Sequence, residues 1–87
     1  MNNQTYLGFG VEDTLTCTAD GFPQPNVTLL HLEKNSTMEK VASGIGQTVY
    51  SIAEVSKNDA GRYECIAENL HGRVTMVTTV MIVGQSK

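Results

Sequence analysis

The chain has 87 residues, 40% of them hydrophobic, and a formal net charge of −3. That length makes one domain and leaves no room for a second core. The six Lys and Arg residues are widely spread, which argues against a nucleic-acid footprint. No apolar run approaches the ~18 residues of a membrane span, so direct membrane insertion by this segment is not expected.

Alternating apolar and polar residues predict β-strands along most of the chain. These segments are rich in Thr, Val, Ile and Tyr, which favour pleated, half-buried strands. In chain order, strands are predicted at 5–9 (weak), 13–19, 25–31, 38–43 (weak), 48–55, 62–68 and 73–83. One short helical turn is predicted within 55–63, and six or seven short strands without long helices imply a two-sheet sandwich.

The strand phases predict which side chains face the interior. The inward set is Leu15, Cys17, Ala19, Val27, Leu29, Tyr50, Ile52, Val55, Tyr63, Cys65, Ala67, Val74, Met76, Val80 and Ile82. His31 is expected at the edge of the sandwich and His71 in a turn. Gly, Pro, Asn and Ser clusters predict turns at 21–25, 35–36, 43–46 and 70–72.

The two cysteines, Cys17 and Cys65, are 48 positions apart. That spacing is too wide for a redox Cys-x-x-Cys motif. Two thiols alone make a poor zinc site, and no short metal-ligand spacing supports adding His31 and His71 to them. In a sandwich both cysteines point into the core from different sheets, so a disulfide would join the sheets. Such a bridge contributes ~4 kcal/mol in the chain-entropy account, provided that the compartment is oxidising.

Residues 58–72, "NDAGRYECIAENLHG", carry the most specific motif. Asp59, Gly61, Tyr63 and Cys65 match the Asp-x-Gly-x-Tyr-x-Cys pattern of immunoglobulin-superfamily domains. The other matching segments are Tyr50-x-Ile52-x-x-Val55, Gly21-x-Pro23-x-Pro25-x-Val27 and Ala67-x-Asn69-x-x-Gly72, the last two typical of the I-set subgroup. The chain therefore resembles an I-set immunoglobulin domain over about residues 5–83.

This resemblance implies an all-β, immunoglobulin-like Greek-key sandwich of two sheets with an inter-sheet Cys17–Cys65 disulfide. It also implies a tyrosine corner, in which the Tyr63 hydroxyl bonds nearby backbone and Asp59 caps the turn. Residues 1–87 would form a single domain excised from a larger multidomain protein.

One position departs from the family pattern. The family usually places a Trp against the disulfide, but this chain has no Trp and Leu29 stands there. A leucine fills far less space than an indole, so neighbours must close in. Tyr50 and Phe22 are the expected candidates.

Three sequons, at Asn3, Asn26 and Asn35, exceed the roughly one expected by chance and predict N-glycosylation. With the disulfide, they favour an extracellular domain of a cell-surface or secreted protein.

Outward strand positions on a solvated sheet are normally polar, yet several here are apolar. The predicted protein-binding face comprises Leu30, Ile66, Val77 and Met81, with Glu64 and Glu68 as a charged rim and Val83 in the same phase. Contact with an adjacent immunoglobulin domain, or merely scattered apolar residues, would also explain them. Asn26 shares the phase of this face, so a glycan there would shield part of it.

No nucleophile elbow or paired-carboxylate motif appears, so no catalysis, cofactor or metal is expected. The function predicted is that of a protein-binding module of an extracellular adhesion or receptor protein, with homophilic or heterophilic partners and neighbouring immunoglobulin-like domains. One alternative is an intracellular I-set spacer of a muscle or cytoskeletal protein with reduced cysteines. An enzyme or metal protein is the other alternative, from a different class.

Overall fold

The computed structural model describes residues 4–32 and 37–84. Within these ranges the alternating segments form seven strands, including both strands predicted as weak. Their bounds are β1 Gln4–Gly8, β2 Asp13–Thr18, β3 Asn26–Leu32, β4 Met38–Ile45, β5 Gln47–Ile52, β6 Gly61–Asn69 and β7 Gly72–Val83. The predicted helical turn is a single 3₁₀ turn over Lys57–Asp59.

The strands form two sheets, which confirms the predicted immunoglobulin-like sandwich. The larger sheet has the order β1-β7-β6-β3-β4, and β2 pairs with β5 in the smaller one. β1 runs parallel to β7, whereas the other paired strands are antiparallel. No helix in the described ranges is long and apolar enough to cross a membrane.

The core lies between the sheets and is built around the Cys17–Cys65 disulfide, which confirms the predicted bridge. Cys17 comes from β2 and Cys65 from β6, with Cα atoms 6.5 Å apart, so the bond joins the two sheets. Leu29 is fully buried and is paired across strands with Cys65 on one side and Ala42 on the other. The leucine therefore occupies the position beside the disulfide where the family usually has Trp.

Two expectations about the core are wrong. Phe22 does not fill space near Leu29, because its side chain is 90% exposed in the loop between β2 and β3. Tyr50, the other candidate, packs half-buried against the core. Val74 was expected inside but is 61% exposed, since it lines an open cleft with Ala19 and Met76, whereas Thr78 in the same phase is fully buried.

His31 is also placed differently from its predicted position at the edge of the sandwich. Its side chain is 7% exposed, because β3 lies between β4 and β6 and His31 continues the inward phase of Val27 and Leu29. The imidazole stacks on the Tyr63 ring with centroids 4.1 Å apart and nearly parallel planes. His31 is therefore a core residue.

The chain passes from the larger sheet to the smaller one through a single residue, Gly46, between β4 and β5. The turn predicted at 43–46 is therefore wrong over residues 43–45, which extend β4. Gly46 has φ +76°, and its N–H donates to the carbonyl of Pro25 while its own carbonyl accepts from Ala19. Glycine suits this position because a side chain is disfavoured at positive φ.

Candidate binding face

The outward side of the five-stranded sheet, called here the outer face, carries an unexpected number of apolar side chains. Leu30, Ile66 and Val77 are half-buried there, although no other element within residues 4–32 and 37–84 covers them, and Met81 is 40% exposed. The same face also presents Tyr6, Leu32, Met38 and Val83.

Strand register brings the predicted residues together at the centre of this face. Leu30, Glu64 and Val77 lie in one row across β3, β6 and β7. Ile66 lies in the adjacent row, between Thr28 and Thr75, and is therefore diagonal to both Leu30 and Val77. Diagonal neighbours on one sheet face stand about 7–8 Å apart, within reach of long side chains. Leu30, Ile66 and Val77 thus lie as close neighbours around Glu64, and these three side chains are called here the apolar patch.

The charges of this face are arranged differently from the predicted rim. Glu64 lies in the central row, and its carboxylate is 3.4 Å from Nε of Arg62. Glu68 lies at the far end, where it pairs with Arg73 at 3.4 Å. Such exposed pairs contribute little to stability, ~0–1 kcal/mol. At the centre of the face, the positive charge of Arg62 balances the negative charge of Glu64.

The corner before β6 fixes the phase in which that strand presents its outward residues. The Tyr63 hydroxyl donates to the Asp59 carbonyl oxygen at 2.7 Å, and the Asp59 carboxylate accepts from the Ser56 N–H at 2.8 Å. His31 Nε2 donates to the Ala60 carbonyl at 3.0 Å. With the Tyr63 ring inside, Glu64 and Ile66 alternate to the outside.

Burial raises the pKa of Tyr63, with smaller contributions from Tyr50 and Asp59. Because the folded state holds the phenol proton more tightly, the stability from this group is complete below about pH 10 and falls as the pH rises further. Tyr63→Phe should therefore flatten the alkaline loss of stability. The variant should also cost about 1 kcal/mol at pH 7 through the lost hydrogen bond, measured by urea unfolding across the pH range.

Tyr6→Phe is the matched control, because Tyr6 is 58% exposed and its hydroxyl donates to the exposed side chain of Gln4. It should leave the unfolding free energy at pH 7 within about 0.5 kcal/mol of the parent. An unchanged alkaline slope in Tyr63→Phe would contradict the assignment to Tyr63.

A second exposed apolar group lies at the end of the sandwich formed by the β2–β3 loop and the β6–β7 turn. Phe22 is 90% and Leu70 78% exposed. Asn69 ties the two segments together, because its Nδ2 donates to the Pro23 carbonyl at 2.8 Å while its Oδ1 accepts from the His71 N–H. His71 lies in the turn, as predicted.

Of the three predicted glycosylation sites, Asn26 is exposed at the start of β3 on the outer face. Asn3 and Asn35 lie outside the described residues. Within residues 4–32 and 37–84, no group of three or more His, Cys, Asp or Glu side chains is arranged to hold a metal ion.

Sequence reasoning missed Tyr6, Leu32 and Met38 as members of the outer face. Leu32 follows Leu30 in phase, so alternation alone signalled it. Tyr6 lies beside Met81 only because β1 pairs in parallel with β7, and such long-range pairing has no local signal. Met38 reaches the face through a bulge opposite Leu29 and Leu30, which alternation in β4 does not reveal.

Comparison with known proteins identifies the family. The profile described as "Immunoglobulin domain" matches residues 2–69. The chain is 33% identical over 75 residues to the human leucine-rich repeat, immunoglobulin-like domain and transmembrane domain-containing protein 3, covering 80% of this chain and 11% of that protein. It is 36% identical over 76 residues to human neural cell adhesion molecule 1, covering 83% and 9%. The chain thus spans about a tenth of the length of these relatives.

The fold is likewise similar to that of solved immunoglobulin domains. A titin Ig tandem matches with a TM-score of 0.77 at 21% identity, covering 94% of this chain and 44% of that one. At this identity the likeness concerns the fold alone.

Proposed function

Because the chain belongs to the immunoglobulin domain family, we propose that it acts by binding another protein through its outer face, as a module of an extracellular adhesion or receptor protein. The module works without catalysis or a cofactor. About residues 5–83 form one domain of a longer protein, next to further immunoglobulin-like domains. Two relatives whose names include cell adhesion and transmembrane domain support this class.

The apolar patch of Leu30, Ile66 and Val77 carries the proposal. The outward side of a solvated antiparallel sheet is normally polar, and here three adjacent apolar side chains stand without cover among the described residues. Burying such a patch against a partner releases water from apolar surface, at about 25 cal/mol per Å². The sheet and its disulfide hold the patch rigidly, so little ordering entropy opposes binding.

Replacing both Ile66 and Val77 with Lys should weaken self-association, or binding to a partner, by roughly 30-fold or more, because two charges would enter an apolar contact. Stability should change by no more than about 1 kcal/mol, since neither side chain is fully buried. Sedimentation equilibrium measures self-association. Binding of the labelled domain to an array of purified receptor ectodomains measures the heterophilic case.

The matched control is Thr16→Lys with Ser51→Lys on the exposed side of the β2–β5 sheet. These two positions also stand diagonally, so the control adds the same charge at the same spacing elsewhere. It should retain binding. Equal binding by both double variants would refute the outer face as the binding site.

The alternative is an intracellular spacer module of a muscle or cytoskeletal protein, which would have the same fold with reduced cysteines. The two functions differ in the redox state of Cys17 and Cys65, because cytosolic thiols are kept reduced. Thiol alkylation of unreduced, denatured protein from its own cells distinguishes them by mass. Two added alkyl groups would favour the spacer, whereas an unmodified mass supports the extracellular module.

A further inference from the structure

The outer face contains a groove of about 340 Å³ between β3 and β4, immediately beside Asn26. Its lining includes Thr28, Lys40, Ser43 and Ile45. A β-bulge explains the space: Lys40 and Ser43 are three residues apart, whereas their partners Leu30 and Thr28 are two apart. Asn26 is also the first residue of a sequon, so the groove is lined in part by the residue to which a glycan would be joined.

We propose that the first N-acetylglucosamine of a glycan on Asn26 lies in this groove, directing the glycan over β4 and leaving Ile66 and Val77 open to a partner. The inference rests on the proposed extracellular function, because asparagine is glycosylated in secreted proteins. It resolves how one sheet face carries both a sequon and a protein-binding patch.

The two neighbours of Asn26 differ in what they offer a sugar. On the β6 side stands Glu68, whose carboxylate already pairs with Arg73 at 3.4 Å. On the β4 side stands Ile45, which is directly opposite Asn26 and 68% exposed. A sugar that covers Ile45 is stabilised because apolar surface is removed from water. A sugar on the β6 side would displace the Glu68–Arg73 ion pair without that gain.

The chemistry of the groove also fits N-acetylglucosamine. The acetyl methyl group and the C–H face of the ring are apolar and match Ile45. The hydroxyl and amide groups of the sugar find donors and acceptors in the side chains of Ser43, Lys40 and Thr28.

The groove borders one side of the patch, because Lys40 is paired with Leu30 and Thr28 with Ile66. A glycan seated in it nevertheless extends over β4, away from β6 and β7. Along β3, Asn26 lies four residues from Leu30, which corresponds to ~13 Å of strand. Val77 lies on β7, which is separated from β3 by β6 and is three strands away from β4. The glycan therefore covers the β4 half of the outer face and leaves the β6–β7 half accessible.

The test uses the 87-residue chain with Asn3→Gln and Asn35→Gln, secreted from mammalian cells and trimmed enzymatically to one N-acetylglucosamine on Asn26. NMR should show cross-relaxation between the acetyl methyl protons and the Ile45 methyl groups. Relative to Asn26→Gln, the single sugar should raise the melting temperature by roughly 2–5 °C. Ile45→Ser should remove most of this rise. Val49→Ser is the control, because Val49 is 46% exposed on the other sheet.

Acetyl contacts to Ile66 or Val77, a rise of equal size in the Ile45→Ser background, or an unmodified Asn26 in the secreted protein would each overturn the inference. The proposed function is tested separately in unglycosylated protein. It fails if the double variant Ile66→Lys/Val77→Lys binds as well as the parent. If both proposals hold, the glycosylated and trimmed proteins bind with Kd values within about twofold of each other.

Discussion

Removing the Cys17–Cys65 disulfide is expected to lower the free energy of unfolding by about 4 kcal/mol. The bridge closes a loop over a sequence separation of 48, and its loss returns that loop-closure entropy to the unfolded chain. Both cysteines are buried between the sheets, and the chain has no third cysteine that could supply another cross-link. Urea unfolding of Cys17→Ala/Cys65→Ala against the oxidised parent measures the effect.

An 87-residue domain tolerates such a loss poorly. Domains of this size have a total stability of roughly 5–10 kcal/mol. A loss of about 4 kcal/mol therefore lowers the melting temperature by roughly 15 °C or more.

The reduced parent separates the bridge from the packing of its sulfur atoms. Adding reductant breaks the bond but keeps both thiols in the core, and it should reproduce most of the loss seen in the double alanine variant. A reduced parent as stable as the oxidised one would mean that the sandwich is self-sufficient, as the intracellular alternative requires.

The alternation of residues along each strand was enough to predict most of the core, but not how side chains are arranged across the strands of the outer face. Cys17, Leu29, Tyr63 and Cys65 were predicted to face inward because alternation with period two fixes the side of every residue once one is known. Val74 was assigned inward by the phase of its strand, and Phe22 was expected to close in on Leu29, yet both side chains are exposed at one end of the sandwich. Their exposure depends on what the rest of the fold covers, which no local pattern records.

The arrangement of side chains across the outer face depends on the pairing of strands that are distant in the sequence. The diagonal placement of Ile66 beside Leu30 and Val77 depends on the register of three strands, and β3 and β6 are far apart in the chain. The central position of Glu64 follows from the same register. The sequence predicted these residues as outward and apolar or charged, but not their order across the sheet.

Gly44→Ala is expected to destabilise the domain by about 1–3 kcal/mol, although alanine is normally tolerated in a strand. Gly44 is opposite Val27, so a side chain there would point inward. A Cβ atom at this position would overlap the backbone carbonyl oxygen of Gln47, which is the first residue of β5. Backbone cannot rotate away as a flexible side chain does, so the junction between the sheets must shift.

A shift of Gln47 would also disturb the hydrogen bonds of its neighbour Gly46, which connects β4 to β5. Gly46 links the Pro25 carbonyl, just before β3, to the Ala19 N–H, just after β2. Moving Gln47 therefore disturbs the ends of both sheets, and amide hydrogen exchange should quicken at Ala19 and Gly46 before it quickens elsewhere.

Gly21→Ala is the matched control for this substitution. Neither glycine has a positive φ, but the nearest atom to a Cβ at Gly21 is the Asn69 side-chain nitrogen at 3.3 Å, which can move aside by a few tenths of an ångström. Its effect on the free energy of unfolding should stay below about 1 kcal/mol. Equal losses of unfolding free energy in the two variants would show that the domain responds to added bulk in general. The close approach of Gly44 to Gln47, where the chain passes from one sheet to the other, would then not be the cause.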